Sequence, residues 1–228
     1  MPDDAVGEIA FVTRGSRRGT RHCAAVLALH GTSRAELRRA FALAEAFDPE
    51  ALLVAVDGGL SACRAIRRRP DLFVGDLDSA RRHPHGIASR VYPAAKDFSD
   101  FSGALAEARR LGADILVIAG LLGGRLDHEW ANLFEVGASA REFTGLLAPS
   151  SRGLVVVTAT GVRVRTVARR EVSAFALGRG ARVSIRGTLW TLTKRRLAPG
   201  SLGLSNVTGK RLALDVHEGV VALVFPDL

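Results

Sequence analysis

Between Ala24 and Ala119 the chain alternates short, wholly apolar runs with segments of helical period. Ala24 to Leu29, Leu52 to Val56, Leu72 to Val74 and Ile115 to Ala119 read as apolar strands;. Ala35 to Phe47 carries Leu37, Phe41 and Ala44 at helical spacing and stops before Pro49, with Thr32 or Ser33 as the expected N-cap;. Leu60 to Arg68 predicts a second helix. A third starts after Ser99, its natural N-cap, and puts Phe101, Ala104, Leu105, Ala108 and Leu111 on one face, with Gly112 as the stop;. A fourth follows Asp127, its expected cap, with Trp130, Leu133, Phe134 and Gly137 as the buried face. Strands that alternate with helices specify an α/β unit with a mainly parallel sheet.

The pattern changes near Pro149-Ser150-Ser151-Arg152-Gly153. Beyond it no helical period persists. Leu154 to Thr158, Val162 to Val167, Arg182 to Ile185, Leu189 to Leu192, Leu212 to Val216 and Val220 to Phe225 are short β-rich runs, with Gly161 and Glu218-Gly219 at turns;. The expected division is an α/β domain over residues 1–150 and a small all-β sandwich over 151–228. Two short pieces lie outside this frame: Glu8 to Val12 suits a strand ahead of a basic loop, and Val91-Tyr92 suits another. Gly203 to Lys210 imitates a phosphate loop, but its glycine spacing is one too long and Arg211 stands where Ser or Thr is needed;.

A net charge of +9 raises the question of nucleic acid;. The charge argues against it by its make-up: lysine occurs only at 96, 194 and 210, and the arginines are scattered in pairs without interleaved aromatics. No apolar run approaches a membrane span;. Met1-Pro2-Asp3-Asp4 has no apolar core of a signal peptide, and Cys23 and Cys63 lack metal spacing, so a cytoplasmic protein with reduced cysteines is expected;.

The residues with chemistry follow the strands. Asp57-Gly58-Gly59 sits between a strand and a helix, where an α/β sheet usually binds a ligand and a helix N-terminus favours phosphate, although a plain Asp-Gly turn has the same residues;. Val74-Gly75-Asp76-Leu77-Asp78-Ser79 runs from a strand into a loop. Residues two apart in an extended segment point to one side, so Asp76 and Asp78 converge, either as a polar turn or as oxygen ligands for a hard cation such as Mg²⁺;. Lys96-Asp97-Phe98-Ser99-Asp100 opens a helix; its acids suit the helix dipole, or add a carboxylate to the cation site and a lysine to phosphates;. Gly123-Gly124 would expose backbone N–H groups, and Arg125 suits a phosphate oxygen;. His83 and His85 lack a third ligand and read as a solvated loop. His128-Glu129 lacks the second histidine of a zinc-protease helix, and Trp130 reads as core;.

Taken in order, these pieces resemble the thiamine pyrophosphokinase family. The resemblance rests on Asp57-Gly58-Gly59, Pro70-Asp71 leading to Gly75-Asp76-Leu77-Asp78-Ser79, Lys96-Asp97-Phe98-Ser99-Asp100, and Gly123-Gly124-Arg125-Leu126-Asp127-His128 with Ala131-Asn132. In the β-rich part it adds Arg182-Val183-Ser184, Gly187 to Leu192 and Leu204-Ser205-Asn206. It implies a Rossmann-like α/β domain followed by a β-sandwich, a homodimer with sites at the subunit interface, and Mg²⁺-dependent transfer of pyrophosphate from ATP to thiamine, releasing AMP. It implies metal carboxylates at Asp76, Asp78 and Asp100, and catalytic roles for these with Lys96, Arg125 and Asp127. Asp57, Gly58, Gly59, Asp97, Ser99 and Gly124 match positions around ATP; Trp190, Ser205 and Asn206 match the thiamine pocket. Ser99 stands where the family commonly has Thr, and Ser102 where an acid is frequent. Two alternatives are a pyrophosphokinase on the same scaffold with a different alcohol acceptor, and a non-catalytic nucleotide or thiamine sensor.

Overall fold

The computed structural model describes residues 6–13, 22–76, 85–167 and 169–226. The chain is a mixed α/β protein that divides into two compact units. One takes Arg21–Glu135 with Ala148–Ser151. The other takes β1 (Val6–Phe11), residues Val136–Leu147 and the chain beyond Ser151.

In the first unit the elements run β2 (Ala24–Ala28), α1 (Arg34–Glu45), β3 (Leu52–Val56), α2 (Gly59–Ala65), β4 (Leu72–Gly75), β5 (Ala88–Val91), α3 (Asp100–Arg110), β6 (Ile115–Ala119) and α4 (Leu126–Ser139), whose last residues belong to the second unit. The strands lie in the order β6-β2-β3-β4-β5, and each neighbouring pair is parallel. Every residue of β2 and β6 is buried, as expected of central strands covered on both faces;. Leu37, Ala40, Phe41 and Ala44 form the buried stripe of α1, and Ser33 caps it by accepting from the Glu36 N–H at 3.1 Å. Ser99 caps α3 in the same way, and Gly112, at φ +87°, follows its end.

This topology positions the site. From β2 the chain steps to β3, β4 and β5 on one side, then returns with β6 on the other. All five strands are parallel, so His30, Asp57, Asp76 and Gly120 follow their strands at the same edge. A crevice outside the carboxyl ends of such strands, where the order reverses, is the usual binding place of an open α/β sheet.

In the second unit β8 (Gly153–Thr158) and β9 (Gly161–Thr166) each pair antiparallel with β12 (Asn206–Phe225), and β9 also pairs with β1. β10 (Glu171–Thr188) lies against β12, with Ser173 opposite Val224 and Ile185 opposite Leu214, and pairs antiparallel with β11 (Leu192–Leu197). The expected short runs at Leu212 to Val216 and Val220 to Phe225 are one strand. Gly219 is not a terminating turn: at φ +89°, a Cβ there would stand 2.5 Å from the Gly180 carbonyl oxygen, so glycine lets β12 stay continuous beside β10. Pro149 and Ser150, where the pattern changes, belong to β7 (Gly145–Ser150), which is buried throughout.

The helical faces bring two corrections. Leu111 is exposed at the end of α3, while Phe101, Ala104, Leu105 and Ala108 are buried as expected. On α4 the expected core face is mostly outside: Trp130 is 58% exposed and Phe134 68%, Leu133 and Gly137 are half-buried, and Val136 is the buried residue. Asp127 lies in the first turn of α4 rather than at its cap. Periodicity groups residues on a face without saying what covers it.

Candidate functional site

At the carboxyl edge of the parallel strands lies a cleft of about 460 Å³, lined among others by His30, Asp57, Lys96, Ser99, Asp100, Gly124, Arg125 and Glu129. Asp57 terminates β3 in the left-handed region, at φ 46°, a conformation that non-glycine residues seldom adopt;. Its N–H donates to the Val74 carbonyl at 2.8 Å, tying the end of β3 to β4. The glycines beside it serve chain packing. A Cβ on Gly58 would stand 2.0 Å from His30 Nδ1, one on Gly59 1.8 Å from the Ala28 carbonyl oxygen, and one on Gly75 3.2 Å from Asp57 Cα. These glycines let strand ends and the start of α2 close on one another, and Gly58 and Gly59 do not line the cleft.

The charged centre is formed by Asp76, from the end of β4, with Lys96 and Asp100, from the start of α3. Lys96 Nζ lies 3.9 Å from Asp76 Oδ2 and 3.3 Å from Asp100 Oδ1, and its side chain is only 8% exposed. Asp100 is held above the usual carboxylate range, first by burial; Lys96 opposes that shift, and the charges of Asp76 and Asp57 add to it. Asp100 Oδ1 is buried, with the Lys96 ammonium as its charge partner. Asp76 and Asp100 facing one ammonium, with the Asp57 charge close enough to act on Asp100, are a donor set that fits a hard, oxygen-seeking cation;. Among the described residues no three acidic, histidine or cysteine side chains already surround a single metal point. Lys96 stands between Asp76 and Asp100, and Asp78 lies outside the described residues.

The rim is made by the loop after β6 and the first turns of α4. Gly120, at φ +83°, donates its N–H to Glu36 Oε1 at 2.6 Å. Burial pushes the Glu36 carboxyl up, and the Gly120 bond works against that. Gly123 donates its N–H to the Glu129 carboxylate. Arg125 grips Asp127 through two nitrogens at 2.6 and 3.1 Å, which holds the Asp127 carboxyl below its usual range. Ser99 Oγ lies within hydrogen-bond reach of both Glu135 carboxylate oxygens, at 2.8 and 3.0 Å, and accepts from the Ser102 N–H at 2.9 Å. Burial raises the Glu135 carboxyl.

Asp57, Asp76, Lys96, Ser99, Asp100, Gly124 and Arg125 thus come together. Asp97 is exposed and does not line the cleft. His85 is exposed, and His83 lies outside the described residues. Sequence reasoning missed Glu36, Glu129 and Glu135. Ser33 and Glu36 have capping-box spacing, but the Glu36 side chain reaches Gly120, 84 positions away, a contact that local spacing does not reveal.

In the second unit, Trp190 and Asn206 line an apolar hollow of about 80 Å³ with Val172, Ile185, Leu212 and Leu223. Asn206 clamps the Trp190 backbone, accepting from its N–H at 3.1 Å and donating to its carbonyl at 2.7 Å. Trp190 is 59% exposed, so it is not a core tryptophan of this unit. Ser205, at φ 54°, donates its N–H to Ser173 Oγ at 3.0 Å and does not line the hollow.

Residues 43–144 match the family described as thiamin pyrophosphokinase, catalytic domain. Similar solved structures include a thiamine pyrophosphokinase from Bacillus subtilis, 18% identical with a TM-score of 0.72 over 89% of this chain and 98% of that one. One from Geobacillus thermodenitrificans is 20% identical, with a TM-score of 0.71 over 89% and 97%. One from Candida albicans is 12% identical, with a TM-score of 0.70 over 90% of both chains. At these identities the likeness is one of fold. No curated protein matches the chain.

Proposed function

We propose that this chain, whose residues 43–144 match the thiamin pyrophosphokinase catalytic domain, transfers the pyrophosphoryl group of ATP to the hydroxyl of thiamine, giving thiamine pyrophosphate and AMP. The observation that carries this reading is the Asp76–Lys96–Asp100 centre, set in a cleft at the carboxyl edge of a parallel sheet and inside the matched residues.

Asp76, Asp78 and Asp100 would hold Mg²⁺, which supplies neutralising charge to the phosphates when bound. Asp57, Ser99 and Gly124, with Gly58 and Gly59 shaping the strand end, are assigned to ATP. Lys96 and Arg125 offset negative charge as it moves onto the departing AMP phosphate. The thiamine hydroxyl oxygen forms the new bond to the β-phosphorus, the bridging bond to the α-phosphate breaks, and the hydroxyl proton is released. Asp127 orients Arg125 through the paired contact already described. Such a reaction depends on position and charge more than on covalent help from the protein.

Trp190 and Asn206 are assigned to thiamine, whose cationic thiazolium suits an indole face. The first unit is read as an ATP- and Mg²⁺-binding Rossmann-like domain and the second as a thiamine-binding β-sandwich. We assign a homodimer with sites at its interface. Each unit leaves large apolar side chains exposed, Leu126, Trp130 and Phe134 in one and Leu189, Trp190, Leu202 and Leu204 in the other, as an interface requires;. Among the described residues no helix is long and apolar enough to cross a membrane; a cytoplasmic enzyme is proposed.

The test is AMP release from ATP and Mg²⁺ with and without thiamine, with thiamine pyrophosphate identified by its oxidised fluorescence. Equal, thiamine-dependent amounts of the two products are expected. AMP release that ignores thiamine would overturn the acceptor assignment.

A further inference from the structure

The glycine loop at the rim has its anion-binding donors turned toward the protein's own acids. Gly123 donates its N–H to Glu129, and Arg125 is paired with Asp127; both acids belong to the first turn of α4. The loop is open on its other side. A Cβ built on Gly123 or on Gly124 would meet nothing within 4 Å, so there is room for a bulky group against this backbone. Gly120 differs. Its Cβ would stand 2.4 Å from Thr32 Oγ1, and its N–H is held by the half-buried Glu36, so that amide is part of the scaffold.

We propose that Glu129 is a built-in competitor for the phosphate end of the substrate, so that it sets how tightly ATP binds. The inference rests on the ATP reading above. A backbone N–H has one hydrogen, and a phosphate oxygen and a carboxylate oxygen seek it alike. The charged lining of the cleft, with the histidines His30 and His128 set aside, is Asp57, Asp100 and Glu129 against Lys96 and Arg125, three acids to two bases. Glu129 therefore also sets the sign of the balance that an incoming polyanion meets. Its removal equalises that balance without touching the Asp76–Lys96–Asp100 centre. Nothing in this role requires Glu129 to contact the reacting atoms; it is a specificity residue acting at the loop.

The experiment is calorimetric titration of the wild type, Glu129→Gln and Glu129→Ala with ATP and Mg²⁺, with inorganic pyrophosphate, and with adenosine. Glu129→Ala should bind ATP and pyrophosphate about fivefold more tightly than wild type, and Glu129→Gln should gain less, because a neutral amide oxygen is a weaker acceptor. Adenosine, which has no phosphate, should bind all three alike. Equal or weaker ATP binding by a variant whose melting temperature matches wild type would overturn the competitor role while leaving the ATP reading in place. A wild type that binds no ATP would overturn both.

Discussion

The cleft of the α/β unit and the hollow of the β unit solve opposite problems. In the cleft, Lys96 and its acidic partners are taken largely out of water, at 8% exposure for Lys96 and 14% for Asp76, and two carboxylates share the one ammonium. In the hollow, the polar groups of the Trp190 loop are satisfied by Asn206, and the indole stands 59% exposed beside an apolar floor. A site that keeps charge poorly satisfied is prepared for a charged ligand; a site that satisfies its own backbone and presents a flat ring is prepared for a flat one. The rigid ends of parallel strands fix the first, whereas side-chain bonds to a loop fix the second.

The contrast can be broken at each end. Asp100→Asn should lower kcat by a factor on the order of 100 or more, the scale seen when charge aimed at a reacting centre is lost, with the melting temperature kept or raised. A folded variant with normal turnover would remove Asp100 from the charged centre. Trp190→Ala should raise the KM for thiamine about tenfold and leave that for ATP unchanged, in line with loss of one aromatic anchor. Equal effects on both substrates would mean that the indole is structural.

Smaller effects sharpen the comparison. Ser99→Ala removes the cap of α3 and the bond to Glu135, and should reduce stability by about 1 kcal/mol, read by urea unfolding. An unchanged midpoint would show that the cap contributes nothing to α3. The smallest concerns pH. Burial raises the Glu36 carboxyl above its ordinary value of 4.5 in the folded protein. The folded state therefore binds that proton more tightly than the unfolded state. The associated stability is present below the ordinary value and is lost as pH rises through the folded one. Glu36→Gln should flatten that part of the melting-temperature profile between mildly acidic and neutral pH. An identical profile in the variant would assign the slope to other groups.

Much of the α/β unit was legible because its signals are local. Four apolar runs gave β2, β3, β4 and β6 within a residue or two, and Ser33, Ser99 and Gly112 marked helix ends that the structure also shows. In the β unit the same reading cut long strands into pieces. A glycine such as Gly219 reads locally as a turn, yet its purpose depends on Gly180 of the neighbouring strand. The face of α4 was misread for a related reason: Trp130 and Phe134 are four residues apart on one stripe, but no local signal says whether anything covers it.

By itself, then, the sequence determined the alternation of strands and helices, the order of the acidic and glycine motifs, and the placement of those motifs after strands, because each is set by residues within a turn or two of one another. Only the tertiary structure decided which charges meet. Lys96 between Asp76 and Asp100, Glu36 on Gly120, Glu129 on Gly123 and Glu135 on Ser99 depend on strand order and on the angle at which helices leave the sheet. Electrostatic and hydrogen-bond energies vary steeply with such distances and with burial, and neither quantity is written in the spacing of residues along the chain.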